Sequence, residues 1–326
     1  MHGILTRMTD AAASQGRSPR PPIEPERPTG SRVARARWGR LLFELVRLLP
    51  KNAVSRLAGR MAALPLPGPL QRAEIRLFAW LTRVDLDEAR DPVDEFASLQ
   101  EFFTRALRDG ARPIEGGDRD LVSPCDGAWG TSGRIADGTL LQVKGRSYLV
   151  EALLGDADLA RIYEGGTFAT FYLSPRDYHR FHTPTAGRIA RVDYWPGALW
   201  PVNAIGLEGV DGLFAVNERL CAFLSVDRET NAGSQNAPIA LVAVGATMVG
   251  SVRLTFDDLR TNVRGATAAR REYAARAPRF ARGEQWGHFE FGSTIVMLVP
   301  PARFELDLEP AGRPVRLGQV IGRRIG

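Results

Sequence analysis

Lysine is almost missing from this chain of 326 residues: only Lys51 and Lys144 stand among 43 basic residues, so arginine carries the positive charge. That bias reflects coding composition more than chemistry. Cysteine is as scarce, and Cys125 and Cys221 are too few for a disulfide scaffold, which fits a reducing compartment. No apolar run reaches the roughly 18–20 residues that a membrane-spanning helix needs. The longest, PIALVAVGATMVG and GSTIVMLVPP, have the texture of strands. The first residues carry no apolar core of the secretory-signal kind. These absences lead us to expect a protein of the cytosol, or one held peripherally on the cytoplasmic side of the cell membrane.

What remains is ordinary for a folded chain, with 44% hydrophobic and 25% charged residues, and is long enough for one large domain or two smaller ones. Charge is unevenly placed. Residues 1–40 hold eight arginines against Asp10, Glu24 and Glu26, nearly the whole net charge of +6. A basic arm of this kind suits an anionic membrane or nucleic acid. No aromatic residue precedes Trp38, which argues against nucleic acid. We read 1–37 as a basic disordered arm.

Residues 38–112 read as a helical, membrane-associating region. Leu41, Leu42, Leu45, Leu48 and Leu49 fall at helical spacing before Pro50. Val54, Leu57, Met61 and Leu64 then share a face, with Arg56 and Arg60 on the polar side. PLPGP at 65–69 breaks the run, Ile75, Phe78, Trp80 and Leu81 resume it, and SLQEFFTRALRDGA reads as a last helix before Pro113. Such helices either pack on their own domain or lie in a membrane interface. Residues 113–326 change to short apolar runs split by Gly, Pro and Asp, the pattern of a barrel or sandwich. The Arg- and Ala-rich stretch 258–284 interrupts them as an inserted loop or short helix. The fold class is α+β: N-terminal membrane-associated helices followed by a β-rich barrel- or sandwich-like catalytic domain.

Histidine is also sparse, at four, yet His179 and His182 sit together in SPRDYHRFHTPTAG. The His-x-x-His spacing suits a metal with Cys125 or His288 as third ligand, but no other Cys/His cluster supports one, and we expect no metal. In VSPCDGAWG, Asp126 is either a turn aspartate or the partner that orients a histidine. In GHFEFGSTIVML, Gly292 and Ser293 interrupt a strand, where glycine is either a bulge or a close backbone approach. Asp126, His182 and Ser293 together make an acid–base–nucleophile set in chain order.

SPCDG, QVKGRSY, SPRDYHRFHTP, VGATMVGS and FGST stand in the order found in phosphatidylserine decarboxylase proenzymes, and the chain resembles that family from about residue 38 onward. LLP, SRLAG, VDLDEA and EFFTRALRDGARPI resemble the bacterial membrane-associated, long type. Phe291 departs from the leucine usual before the Gly-Ser-Thr step. The resemblance implies self-cleavage between Gly292 and Ser293 into a large β chain (1–292) and a small α chain (293–326) that stay associated. Ser293 would become a covalent pyruvoyl group, the cofactor, which takes up the amine of membrane phosphatidylserine as a Schiff base and yields phosphatidylethanolamine and CO2. His182 would be the general base, titrating near the ordinary ~6.5, with Asp126 orienting it. His179 would move protons during decarboxylation. Gly250-Ser251 is a rival cut site. Two other readings stay open: a Ser/His/Asp hydrolase without self-cleavage, and a non-catalytic lipid-binding β-domain. We expect no nucleic-acid partner, and homo-oligomerisation stays open.

Overall fold

A computed structural model describes residue 44 and residues 47–142, 146–226, 237–248, 251–292 and 294–325. The arm 1–37, residues 38–43 with Leu41 and Leu42, Leu45, Lys144, Gly250 and Ser293 lie outside the described residues.

Helix α1 spans Lys51–Ala62 and begins at Pro50. Helix α2 spans Gly68–Thr82, with Pro67 at its N-cap and Pro69 in its first turn, where a missing N–H costs no hydrogen bond. Helix α3 covers only Leu99–Phe103. It has a reciprocal cap: Ser98 Oγ accepts from Glu101 N at 3.2 Å, and the Glu101 carboxylate accepts from Ala97 N at 2.7 Å. The helix expected to run on to Pro113 stops there because tertiary pairing captures its backbone. Arg90 N donates to Ala106 O (2.9 Å) and Arg108 N to Glu88 O (3.0 Å).

Beyond these helices the chain is mostly antiparallel β-structure. Strands β1 (Asp120–Val122), β2 (Gly127–Arg134), β3 (Thr139–Leu141) and β4 (Ser147–Leu149) lead to helices α4 (Val150–Leu154) and α5 (Ala157–Arg161). Strands β5 (Thr167–Tyr172), β6 (Arg180–His182) and β7 (Gly187–Trp195) precede α6 (Ala204–Gly209) and α7 (Leu213–Val216). Then come β8 (Arg219–Ser225), β9 (Ile239–Val244), β10 (Val252–Leu254), β11 (Ala269–Glu272), β12 (Arg279–Phe280) and β13 (Gln285–Phe289). The last are β14 (Thr294–Val299), β15 (Phe304–Leu306), β16 (Pro314–Val315) and β17 (Val320–Arg324). The stretch 258–284 holds two short strands, β11 and β12, which both pair with β7.

One sheet runs β11-β7-β8-β9-β14-β5-β2-β16. Both its faces are covered, which is why β9 is apolar throughout and β14 from Ile295 onward, while β8 is apolar from Leu220 to Leu224, rather than alternating. Ile295, Met297 and Val299 point into one core with Phe181, Trp286 and Phe289, where the small sheets β10-β13-β6 and β1-β17-β15 pack. Val296 and Leu298 point into the other, with Leu153, Leu154 and Phe214 of the helical layer. Helix α2 buries Ile75 and Ala79 against Phe96 and Phe102.

Candidate active site

The Gly-Ser step meets the sheet at the head of β14, where Thr294 pairs with Tyr172 of β5 and Val244 of β9. Ser293 itself is outside the described residues, so its surroundings are read from its neighbours. A Cβ placed on Gly292 would lie 3.6 Å from His179 Nε2 and 3.5 Å from the Leu173 carbonyl, both ordinary contacts. Glycine is therefore not forced here by crowding, unlike Gly287, whose Cβ would run into the Phe181 ring at 2.2 Å.

His179 reaches this point from a turn in which Ser174 N and Oγ both donate to Asp177 Oδ2 at 2.7 Å. Its own carbonyl accepts from Phe289 N, which ties the turn to β13. His179 Nδ1 lies 2.8 Å from the Asp177 carbonyl. A carbonyl only accepts, so Nδ1 carries the proton and the neutral ring presents its lone pair at Nε2. That atom is buried with no hydrogen-bond partner among the described residues. The ring packs on Phe103 at 4.0 Å between centroids, and Phe103 stacks on Phe291 at 4.5 Å. The phenylalanine at position 291 thus closes an aromatic wall around the imidazole.

His182 repeats the arrangement. Its Nδ1 lies 2.9 Å from the Gly283 carbonyl, and its Nε2 is also buried without a partner among the described residues. Burial lowers the His179 pKa to about 3, against the Asp177 hydrogen bond and helped by the charge of Arg105. Burial lowers that of His182 to about 4, against its bond to Gly283 and the charge of Asp126, and helped by Arg180. Both rings are neutral bases at physiological pH, rather than titrating near 6.5 as the sequence led us to expect of His182.

Asp126 is buried and fully engaged elsewhere. Arg112 Nε donates to Oδ1 at 2.9 Å and Nη2 to Oδ2 at 2.6 Å, while Leu317 N donates to Oδ1 at 2.8 Å. The same guanidinium holds Glu88 at 3.0 and 2.7 Å. Burial opposes the charge on Arg112, but its bonds to the two carboxylates outweigh that and raise its pKa. The structure therefore brings the backbones of Asp126 and His182 together, with His182 N on the Pro124 carbonyl at 2.7 Å, but draws no hydrogen bond between their side chains.

His288 sits apart on β13, opposite Arg180 and Arg253. Cys125 is buried, and burial pushes its thiol up. Among the described residues no three His, Cys, Asp or Glu side chains gather as a metal site. At the rival step, Ser251 is buried and its hydroxyl donates to the Thr261 and Val252 carbonyls. Sequence reasoning missed Phe103 and Arg112. Both lie in EFFTRALRDGARPI, where an arginine just before Pro113 was the only available signal.

A buried neutral imidazole beside Gly292, with a lone pair that no described residue engages, is equipment for acid–base chemistry, which puts this protein among enzymes. Residues 99–323 match the family described as phosphatidylserine decarboxylase. The chain is 44% identical over 287 residues to the phosphatidylserine decarboxylase proenzyme of Anaeromyxobacter sp. (strain K), covering 87% of this chain and 98% of that one. It is 39% identical to the proenzyme of the same name from Myxococcus xanthus (strain DK1622), over 86% of this chain and 97% of that one. For the one from Acidovorax ebreus (strain TPSY) the identity is 44%, over 86% and 96%. The chain belongs to the phosphatidylserine decarboxylase family.

Proposed function

We propose that this chain is a self-processing decarboxylase that converts phosphatidylserine to phosphatidylethanolamine and CO2 at a membrane surface. The observation that carries the reading is the buried Nε2 of His179, which has no hydrogen-bond partner among the described residues and lies 3.6 Å from the Cβ position at Gly292. In maturation the Ser293 hydroxyl attacks the Gly292 carbonyl carbon, the amide becomes an ester, and β-elimination then frees the 1–292 carboxylate. A hydrogen on Cα leaves Gly292 an unhindered carbonyl for that attack. His182 takes the serine proton, and Asp126, fixed by Arg112, stabilises the imidazolium through space. The dehydroalanine left at position 293 takes up water and loses its nitrogen as ammonia, and the resulting pyruvoyl group would supply the electron sink for decarboxylation. His179 then holds or moves a proton at Nε2, and the wall of Phe103 and Phe291 excludes water from that atom.

The membrane reading rests on α1. This helix turns small and polar residues inward: Ser55 Oγ accepts from Met248 N at 2.9 Å, and Asn52 Nδ2 donates to Gly197 O at 2.9 Å. It turns Leu57 and Met61 outward, at 59% and 62% exposure, and on α2 Trp80 is 74% exposed. Apolar residues outward and polar ones inward is the arrangement of a helix that lies in lipid. Among the described residues no helix is long and apolar enough to cross a membrane, and the proposal is of a peripheral attachment through this apolar face.

The test is intact mass spectrometry of the denatured protein, followed by a CO2-release assay on phosphatidylserine vesicles. We expect a fragment 293–326 whose terminus is blocked as a ketone. A single uncut chain with no CO2 release overturns the proposal.

A further inference from the structure

A groove of about 780 Å³ opens between α1 and the loop that follows β10. Arg56 and Arg60 of α1 line one side, Arg253, Arg260 and Arg264 the other, and Glu290 is the one carboxylate among the lining residues. Arg253 Nε is bound to Glu290 at 2.9 Å, and the other four guanidinium groups have no ion pair among the described residues. Five like charges around one cleft repel each other and concentrate a field that attracts an anion. The loop is held in shape before any ligand arrives. Ser251 Oγ donates to Thr261 O at 3.0 Å, Thr261 Oγ1 accepts from Val252 N at 2.8 Å, and Arg260 bridges to Arg253. Asn262, at φ 60°, donates its N–H to Glu218 at 2.7 Å.

Two features narrow the anion. First, one wall is α1, which presents Arg56 and Arg60 to the groove and also carries the exposed Leu57 and Met61, each next in sequence to one of these arginines. Second, Glu290 precedes Gly292 by two residues, at most about 7 Å of extended chain. Only two carbons separate the phosphodiester of a serine headgroup from its reactive amine. We infer that this groove binds the phosphodiester of a glycerophospholipid and so sets the headgroup against the Gly292-Ser293 step; that the lipid is the substrate rests on the proposed decarboxylation. Arginine suits the task because its planar fork binds phosphate oxygens two at a time.

The experiment compares the full-length protein with the double variant Arg260→Gln/Arg264→Gln and with Arg161→Gln, an exposed arginine paired with Asp158 on α5. Arg260 and Arg264 are exposed, so the double variant folds, which a thermal melt checks. Binding of soluble dihexanoylphosphatidylcholine, which has the phosphodiester but no primary amine, is measured at low salt beside inorganic phosphate alone. Each lost charged hydrogen bond weakens binding about tenfold, so we expect at least that loss in the double variant and none in Arg161→Gln. In CO2 release from phosphatidylserine, KM rises by about the same factor while kcat stays within about twofold. Undiminished lipid binding by the double variant overturns the inference. Binding of inorganic phosphate without binding of the lipid overturns the lipid assignment. Loss of lipid binding in a protein whose parent releases no CO2 leaves the groove standing and removes the decarboxylation reading instead.

Discussion

At the scale of single residues, the two imidazoles have the same tautomer and different neighbours, so their roles separate by substitution. His182→Gln is expected to leave the chain uncut. His179→Gln is expected to cut and then release CO2 about 10²–10⁴-fold more slowly, the usual contribution of a positioned proton carrier. Gel mobility reads the first outcome and CO2 release the second. The reverse pattern would exchange the two assignments. Arg112 offers a different test, because it neutralises Asp126 in a site where both side chains are under a tenth exposed. Arg112→Ala strands a buried carboxylate and should cost about 3–5 kcal/mol in a urea melt. A change below about 1 kcal/mol would mean that water or Arg316 replaces the guanidinium. The histidine pair, Asp126 and the Gly-Ser step can be picked out in the sequence as candidates, because scarce residue types in short motifs can be seen one at a time. The sequence hid Arg112 and Phe103, whose importance comes from partners such as Asp126, Glu88, His179 and Phe291 that only folding brings close.

At the scale of elements, legibility follows how much of the pattern is local. Strands β9 and β14 were evident as unbroken apolar runs, since burial on both faces leaves no polar alternation. Helix α1 was evident from its periodicity, but the direction of its apolar face was not, because periodicity gives a stripe and not what the stripe meets. The end of α3 was misread, since the bonds from Arg90 and Arg108 that stop it come from another segment. The outward face of α1 carries its own prediction. Leu57→Glu/Met61→Glu should reduce sedimentation with anionic vesicles several-fold. Stability should move by no more than about 0.5 kcal/mol per site, because both side chains are exposed. If vesicle binding persists unchanged, α1 is not the lipid-facing element.

At the scale of the whole molecule, the proposed cut falls between parts that the fold has already interlocked. Residues beyond the cut supply β14, with neighbours β9 and β5 on either side, as well as β15, β16 and β17. Ile295, Val296, Met297, Leu298 and Val299 have no exposed surface, which corresponds to about 10 kcal/mol of apolar burial as an upper figure. The fragments should therefore elute together in native size exclusion and part only in denaturant; separation in native buffer would contradict this register. The same burial makes the assembly acid-sensitive. Burial lowers the pKa of His179 to about 3 and those of His182 and His288 to about 4, while in the unfolded chain each returns to about 6.5. Above pH 6.5 neither state holds these protons, and their contribution to stability is complete. Below it the unfolded chain takes up protons that the folded chain refuses, so stability falls as the pH drops toward 4. The slope approaches about 1.4 kcal/mol per pH unit for each histidine. Glu218, whose pKa burial raises, opposes this within the carboxylate range, but it is one group against three. The melting temperature should accordingly be flat from pH 8 to 7 and fall steeply between 6 and 5. A melting temperature as high at pH 5 as at pH 7 would mean that the imidazoles are hydrated and titrate normally, and the dry, neutral base assigned to this site would have to be given up.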